Sequence, residues 1–122
     1  MASDTRTLIE QAVSHFVDDV PALHNLKLVI GLELRGRGDV QLYRVELPGP
    51  KVTKDIPSDA RVQLSIARPD FNELADRGHI RDWRRAFETG HAKATGPAEI
   101  LKLIQNVVER QEERIRTRKA RS

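Results

Sequence analysis

Four histidines, His15, His24, His79 and His91, are the side chains best suited to proton transfer or metal binding near neutral pH. A helical metal site built on imidazole needs a second ligand three or four residues away, and no two of these histidines have that spacing. The chain has no cysteine, which removes thiolate metal sites, cysteine nucleophiles and disulfide scaffolds. Asp18 and Asp19 are adjacent and diverge by about 100° on a helix, so they cannot act as a carboxylate pair. Serines and threonines are scattered, with no Gly-x-Ser-x-Gly elbow to expose a nucleophile. Gly36 and Gly38 begin like a phosphate-binding loop, but Gln41 stands where its third glycine belongs. Arg37-Gly38-Asp39 also spells an adhesion tripeptide, and a hairpin turn accounts for it. The residues therefore point to no catalytic group, no metal ligand and no cofactor. An enzyme reading is left with an apolar pocket whose polar mouth would use His79 or His91.

Chemistry absent from the polar residues directs attention to the apolar ones. The 122 residues are 39% hydrophobic and 32% charged, enough for one domain with its own core. No apolar run approaches the roughly 18 residues of a membrane span, and no signal-peptide stretch opens the chain, so the cytoplasm is the expected compartment. The net charge is +3. It is concentrated after Val108: Arg110, Arg114, Arg116, Arg118, Lys119 and Arg121 outnumber Glu109, Glu112 and Glu113, and the rest of the chain balances. This predicts a neutral domain over residues 1–108 and, over 109–122, a basic helical extension or a frayed tail. With the body neutral, a nucleic-acid partner is not expected; the tail could contact an anionic membrane or a protein partner, and the mixed signs of Glu109, Glu112 and Glu113 weaken the membrane case. Of the aromatics, only Tyr43 is a candidate for base stacking. Trp83, among Arg81, Arg84 and Arg85, is expected to pack inward with Ala86 and Phe87.

Hydrophobic periodicity supplies the elements. Leu8, Ile9, Ala12, Val13, Phe16, Val17 and Val20 predict a helix over 5–24, capped by Asp4 and bent or ended by Pro21. Leu28, Ile30, Leu32 and Leu34 alternate on one face of a strand over 27–35. A second strand over 40–47 has two apolar phases, Val40 and Leu42 against Tyr43, Val45 and Leu47, which predicts a bulge or burial on both faces. Residues 51–56 read as a charged edge strand with Val52 and Ile56 in phase, and 61–67 as a strand led by Val62, Leu64 and Ile66. Pro69 opens a helix that Gly78 ends, Asp82 caps the next, residues 91–95 form a fifth strand, and Gly96-Pro97 precede a last helix. Four consecutive strands predict an antiparallel meander. Helices gathered at both ends predict an α+β fold with a five-stranded, mostly antiparallel sheet and helices over one face.

From Ala60 to Leu103 the sequence resembles the sterol carrier protein family, the nonspecific lipid-transfer type. Val62-Gln63-Leu64-Ser65-Ile66 is followed by Pro69-Asp70-Phe71-x-x-Leu74-Ala75-x-x-Gly78. After these come Ala86-Phe87-x-x-Gly90-x-x-Lys93-x-x-Gly96 and the apolar helix from Ala98 to Val108. The resemblance implies an apolar tunnel between sheet and helices that takes fatty acids, acyl thioesters or sterols without catalysis. On this reading the wall is Leu32, Leu34, Leu64, Ile66, Phe71, Leu74, Trp83, Phe87, Ile100, Leu101, Ile104 and Val108, and the partner is a hydrophobic small molecule or lipid. The alternative is that the same residues fill a solid core, and the last helix and tail bind a protein partner or an anionic surface.

Overall fold

The computed structural model describes residues 3–121 of the chain. Helix α1 (Ser3–Asp19) begins one residue before Asp4, so Asp4 lies inside the helix rather than at its cap. Pro21 ends the helical run by opening a short 3-10 helix (Pro21–Asn25), whose Leu23 is buried. Strands β1 (Leu28–Arg35) and β2 (Val40–Leu47) form a hairpin. At its turn Gly38 has φ 75°, and the Gly36 N–H donates to the Asp39 carbonyl.

Strands β3 (Lys51–Thr53), β4 (Val62–Ala67) and β5 (Ala92–Thr95) complete a five-stranded sheet of order β3-β2-β1-β4-β5. The sheet is mostly antiparallel, but it is not a meander. Strand β4 crosses over β2 and β3 and pairs in parallel with β1, with Leu32 beside Leu64. Residues 54–61 carry this crossover, and their Arg61 N–H donates to the Val29 carbonyl.

Continuous pairing from Leu28↔Leu47 to Arg35↔Val40 shows that β2 has no bulge. Its two apolar phases separate by face. Tyr43, Val45 and Leu47 are buried beside Leu32, Ile30 and Leu28, while Val40 and Leu42 lie on the opposite face, where Val40 is exposed. Tyr43 is thus a core residue and offers no stacking surface. Strand β3 stops at Thr53, leaving Ile56 72% exposed in the following loop instead of in phase with buried Val52.

The inner face of the sheet carries Leu28, Ile30, Leu32 and Leu34 of β1, Val62, Leu64 and Ile66 of β4, and Ala92 and Ala94 of β5. The outer face is mainly polar, with Glu33, Arg44, Glu46, Gln63, Ser65 and Lys93 in register. There the Ser65 hydroxyl donates to Glu33 at 3.1 Å. Two helices follow β4. In α2 (Arg68–Arg77) Pro69 occupies the first turn, where its missing N–H costs nothing. Gly78 closes the helix with φ −70°, so its small size is the requirement: a Cβ there would run into the Leu74 carbonyl. In α3 (Ile80–Glu88) the cap is His79, not Asp82. Asp82 stands three residues in and its carboxylate accepts the His79 N–H at 3.0 Å. The last helix, α4 (Ala98–Arg121), is unbroken across position 108.

Candidate functional site

The expected wall residues divide into three groups. Leu32, Leu34, Ile66 and Phe71 are fully buried and belong to the packed interior shared by α1, α2 and the sheet. Leu64, Leu74, Trp83, Ile100, Leu101, Ile104 and Val108 are half-buried against that interior. Phe87 does not join them: it is 37% exposed. The inward row of α3 steps by three, through Ile80, Trp83 and Ala86, and so drifts around the helix. In the last turn that drift leaves Phe87 outside the covered side.

Several residues outside the expected wall share the same half-buried state: Val13 and Phe16 of α1, Ile30 of β1, and Val107 and Ile115 of α4. The three- and four-residue spacing of α1 already placed Val13 and Phe16 on an apolar face. Ile115 lies past Val108, where apolar density drops, so composition alone gives no reason to bring it inward. The structure does so because α3 and α4 are tied further along. Arg84 donates to Glu112 at 2.9 Å, and the Glu112 side chain is only 12% exposed.

Two neighbours fix the central aromatic. The Trp83 ring meets Phe16 edge-on at 6.2 Å and 79°, and Phe71 at 6.1 Å and 69°. Trp83 therefore joins α1, α2 and α3 over the inner face, and the surrounding arginines face outward, as its helical spacing predicts.

Packing is uneven across the inner face. On the β3-β2-β1 side Val45, Leu47 and Val52 are buried, as are Ile9, Val17 and Val20 of α1. On the β4-β5 side Val62, Ile66 and Ala92 are buried too, and the exceptions are the paired Leu64 and Ala94, which are half-buried. Ile30 is also half-buried, yet both its cross-strand neighbours, Val45 and Val62, are at most 2% exposed. Both β1 and β4 are interior strands of the sheet. Interiors packed to ordinary protein density leave no water-sized access above such positions. The helix nearest to α4 is α3, and the α4 stripe of Ile100, Leu101, Ile104, Val107 and Val108 is only partly covered.

Polar groups lie elsewhere. A depression of about 410 Å3 between α2, α3 and the start of β5 is lined by Asp70, Glu73, Asp82, Arg85 and His91, and among the expected wall residues only Leu74 borders it. A second, of about 570 Å3, lies beside Val40, Leu42 and Ile56, away from the helices. His15, His24 and His91 stand exposed 3.4–3.6 Å from Asp19, Asp18 and Asp70. Arg44 holds the exposed Asp59 through three hydrogen bonds, the shortest at 2.7 Å. This bonding pulls the Asp59 carboxyl below its ordinary range and raises the Arg44 guanidinium. Among the described residues no group of three His, Asp or Glu side chains is placed to share a metal ion, and no helix is long and apolar enough to cross a membrane.

No protein-family model matches the chain, and no curated protein matches its sequence at a significant level. Solved structures do. Palmitated SCP2L2 from Aedes aegypti aligns over 82% of this chain and 93% of its own, with a TM-score of 0.58 at 16% identity. The sterol carrier protein domain 2 of Helicoverpa armigera aligns over 88% and 85%, with a TM-score of 0.60 at 15% identity. The apo form of sterol carrier protein 2 from Yarrowia lipolytica aligns over 75% and 84%, with a TM-score of 0.54 at 18% identity. A mixed five-stranded sheet with its helices in this order, matched along nearly the whole of each relative, gives the chain the fold of the sterol carrier proteins.

Proposed function

We propose that the protein binds and carries a hydrophobic ligand, a fatty acid, acyl thioester or sterol-like lipid, between the inner face of the sheet and helices α3 and α4, without catalysing a reaction on it. The observations that carry this reading are the half-buried state of Ile30 and Leu64 on interior strands and an α4 apolar stripe that is only partly covered. The space is walled by aliphatic side chains and the edge of Trp83. Such a wall favours a flexible chain, since each methylene buried contributes about 0.8 kcal/mol without any directional contact. Selectivity would be correspondingly loose. The likeness to a protein solved with palmitate supports the same ligand class.

Displacement of a fluorescent fatty acid by palmitate, with native mass spectrometry of the purified chain, tests the proposal. Saturable uptake at one ligand per chain is expected. Neither uptake nor any bound species, from a chain shown to be folded, rejects it.

A further inference from the structure

Residues beyond Val108 mix charges along the sequence, but the helix sorts them. At about 100° per residue, Leu103, Val107, Arg110, Arg114 and Arg118 fall within roughly 80° of arc, each three or four residues from the next. Glu109, Glu112 and Glu113 fall outside that arc. Glu112 is bound to Arg84, and Glu109 accepts from Gln105 at 3.1 Å. Glu99 is the acidic residue nearest the arc at its other end, roughly 16 Å along the helix from Arg110. Arg110, Arg114 and Arg118 are exposed and make no ion pair among the described residues. Leu103 is 49% exposed at the head of the same row. One flank of α4 is thus apolar at its start and cationic along its length.

We infer that this flank of α4 is a docking surface for an anionic lipid membrane. The occupant follows from the order of the row. Three arginines without an ion pair among the described residues complement a negative surface, and a long exposed leucine in line with them inserts among acyl chains, which neither nucleic acid nor free phosphate provides. Arginine suits this role because its guanidinium engages lipid phosphates through paired hydrogen bonds. The inference does not rest on ligand uptake: a chain with a filled interior would present the same flank.

The test is vesicle flotation of the full chain with phosphatidylcholine vesicles, with and without 30% phosphatidylserine. Binding to the phosphatidylserine vesicles, weakened by raised salt, is expected. Each basic residue near an anionic surface is worth about fivefold in affinity, so Arg110→Glu, Arg114→Glu and Arg118→Glu together cost at least on the order of a hundredfold. Leu103→Ser is expected to weaken binding with little change in its salt dependence. Lys102→Glu with Arg116→Glu reverses charge on the opposite flank and serves as the control, with circular dichroism confirming that each variant is folded. Equal loss in the control, no preference for phosphatidylserine, or tight binding to duplex DNA without vesicle binding overturns the inference.

Discussion

Phe16 and Trp83 meet edge to face, their ring centroids 6.2 Å apart at 79°, and through them the first helix is fastened to a helix more than sixty residues later in the chain. Phe71 completes the contact from α2 at 6.1 Å. Truncating Trp83 removes both edge contacts and opens space above the sheet. Trp83→Ala is expected to lower stability by about 3 kcal/mol, the low end for a large aromatic because the indole is only half-buried. A urea titration with an unchanged slope checks this. A loss below about 0.5 kcal/mol would mean that the three helices hold together without the aromatic cluster.

Trp83 is the chain's one tryptophan, so its emission reports on the proposed ligand space. Titration with a bromine-labelled fatty acid is expected to quench it, saturating at one ligand per chain. Quenching that rises linearly without saturation would place the acid on the surface instead.

A substitution at Leu64 separates open space from a solid interior. In a filled core Leu64→Phe overpacks and costs about 1–3 kcal/mol. If the position borders free volume, the added ring is accommodated at less than that cost and ligand uptake falls. Thermal unfolding and fatty-acid displacement on the same sample distinguish the two.

Much of this was legible in advance. All five strands and the order of the helices follow from apolar spacing, because the period changes from two to three or four where β4 gives way to α2. The parallel pairing of β1 with β4 is not legible: Pro57-Ser58-Asp59 reads as a turn between strands over 51–56 and 61–67, and nothing local reveals that residues 54–61 carry the chain past two strands. The phase conflict in β2 likewise needed tertiary context, since the outer face tolerates Val40 and Leu42. Leu32, Leu34, Ile66 and Phe71 are legible as interior residues from their spacing, but a linear pattern cannot show the drift of the α3 row that leaves Phe87 outside the covered side. Nor can it show that Arg84 holds Glu112 and keeps Ile115 against the body.

Arg44 and Asp59 give the crossover loop a dependence on acid. The hydrogen bonds from Arg44 are the main cause that lowers the Asp59 carboxyl from its ordinary value of 3.8. A carboxyl depressed in the folded state adds stability that is fully present above the ordinary value. That contribution fades as pH falls from 3.8 through the lower folded value. Asp59→Asn is therefore expected to flatten the acid limb of the stability–pH curve while leaving the neutral region little changed, because the pair is exposed. Parallel curves for the two proteins below about pH 4 would show that the pair does not contribute.

Gly96 sets the entry to α4. Its φ is 155°, and a Cβ would lie 2.6 Å from the Arg61 carbonyl oxygen beside Val62. Gly96→Ala is expected to cost about 1–3 kcal/mol and to shift α4 away from β4. Chemical denaturation measures the first effect. Faster amide exchange along residues 98–108 reports the second, and unchanged exchange would mean that α4 is positioned from its Arg84 contact alone.

The proposed ligand site between the sheet and α4 is tested most directly by photocrosslinking palmitate that carries a diazirine near its methyl end, followed by peptide mapping. Labels are expected on β4 around Leu64 and on α4 between Ile100 and Val108, in one-to-one yield, and lost when unlabelled palmitate competes. Labels confined to the outer face around Val40 and Ile56, or spread over the surface without competition, would contradict an interior lipid site.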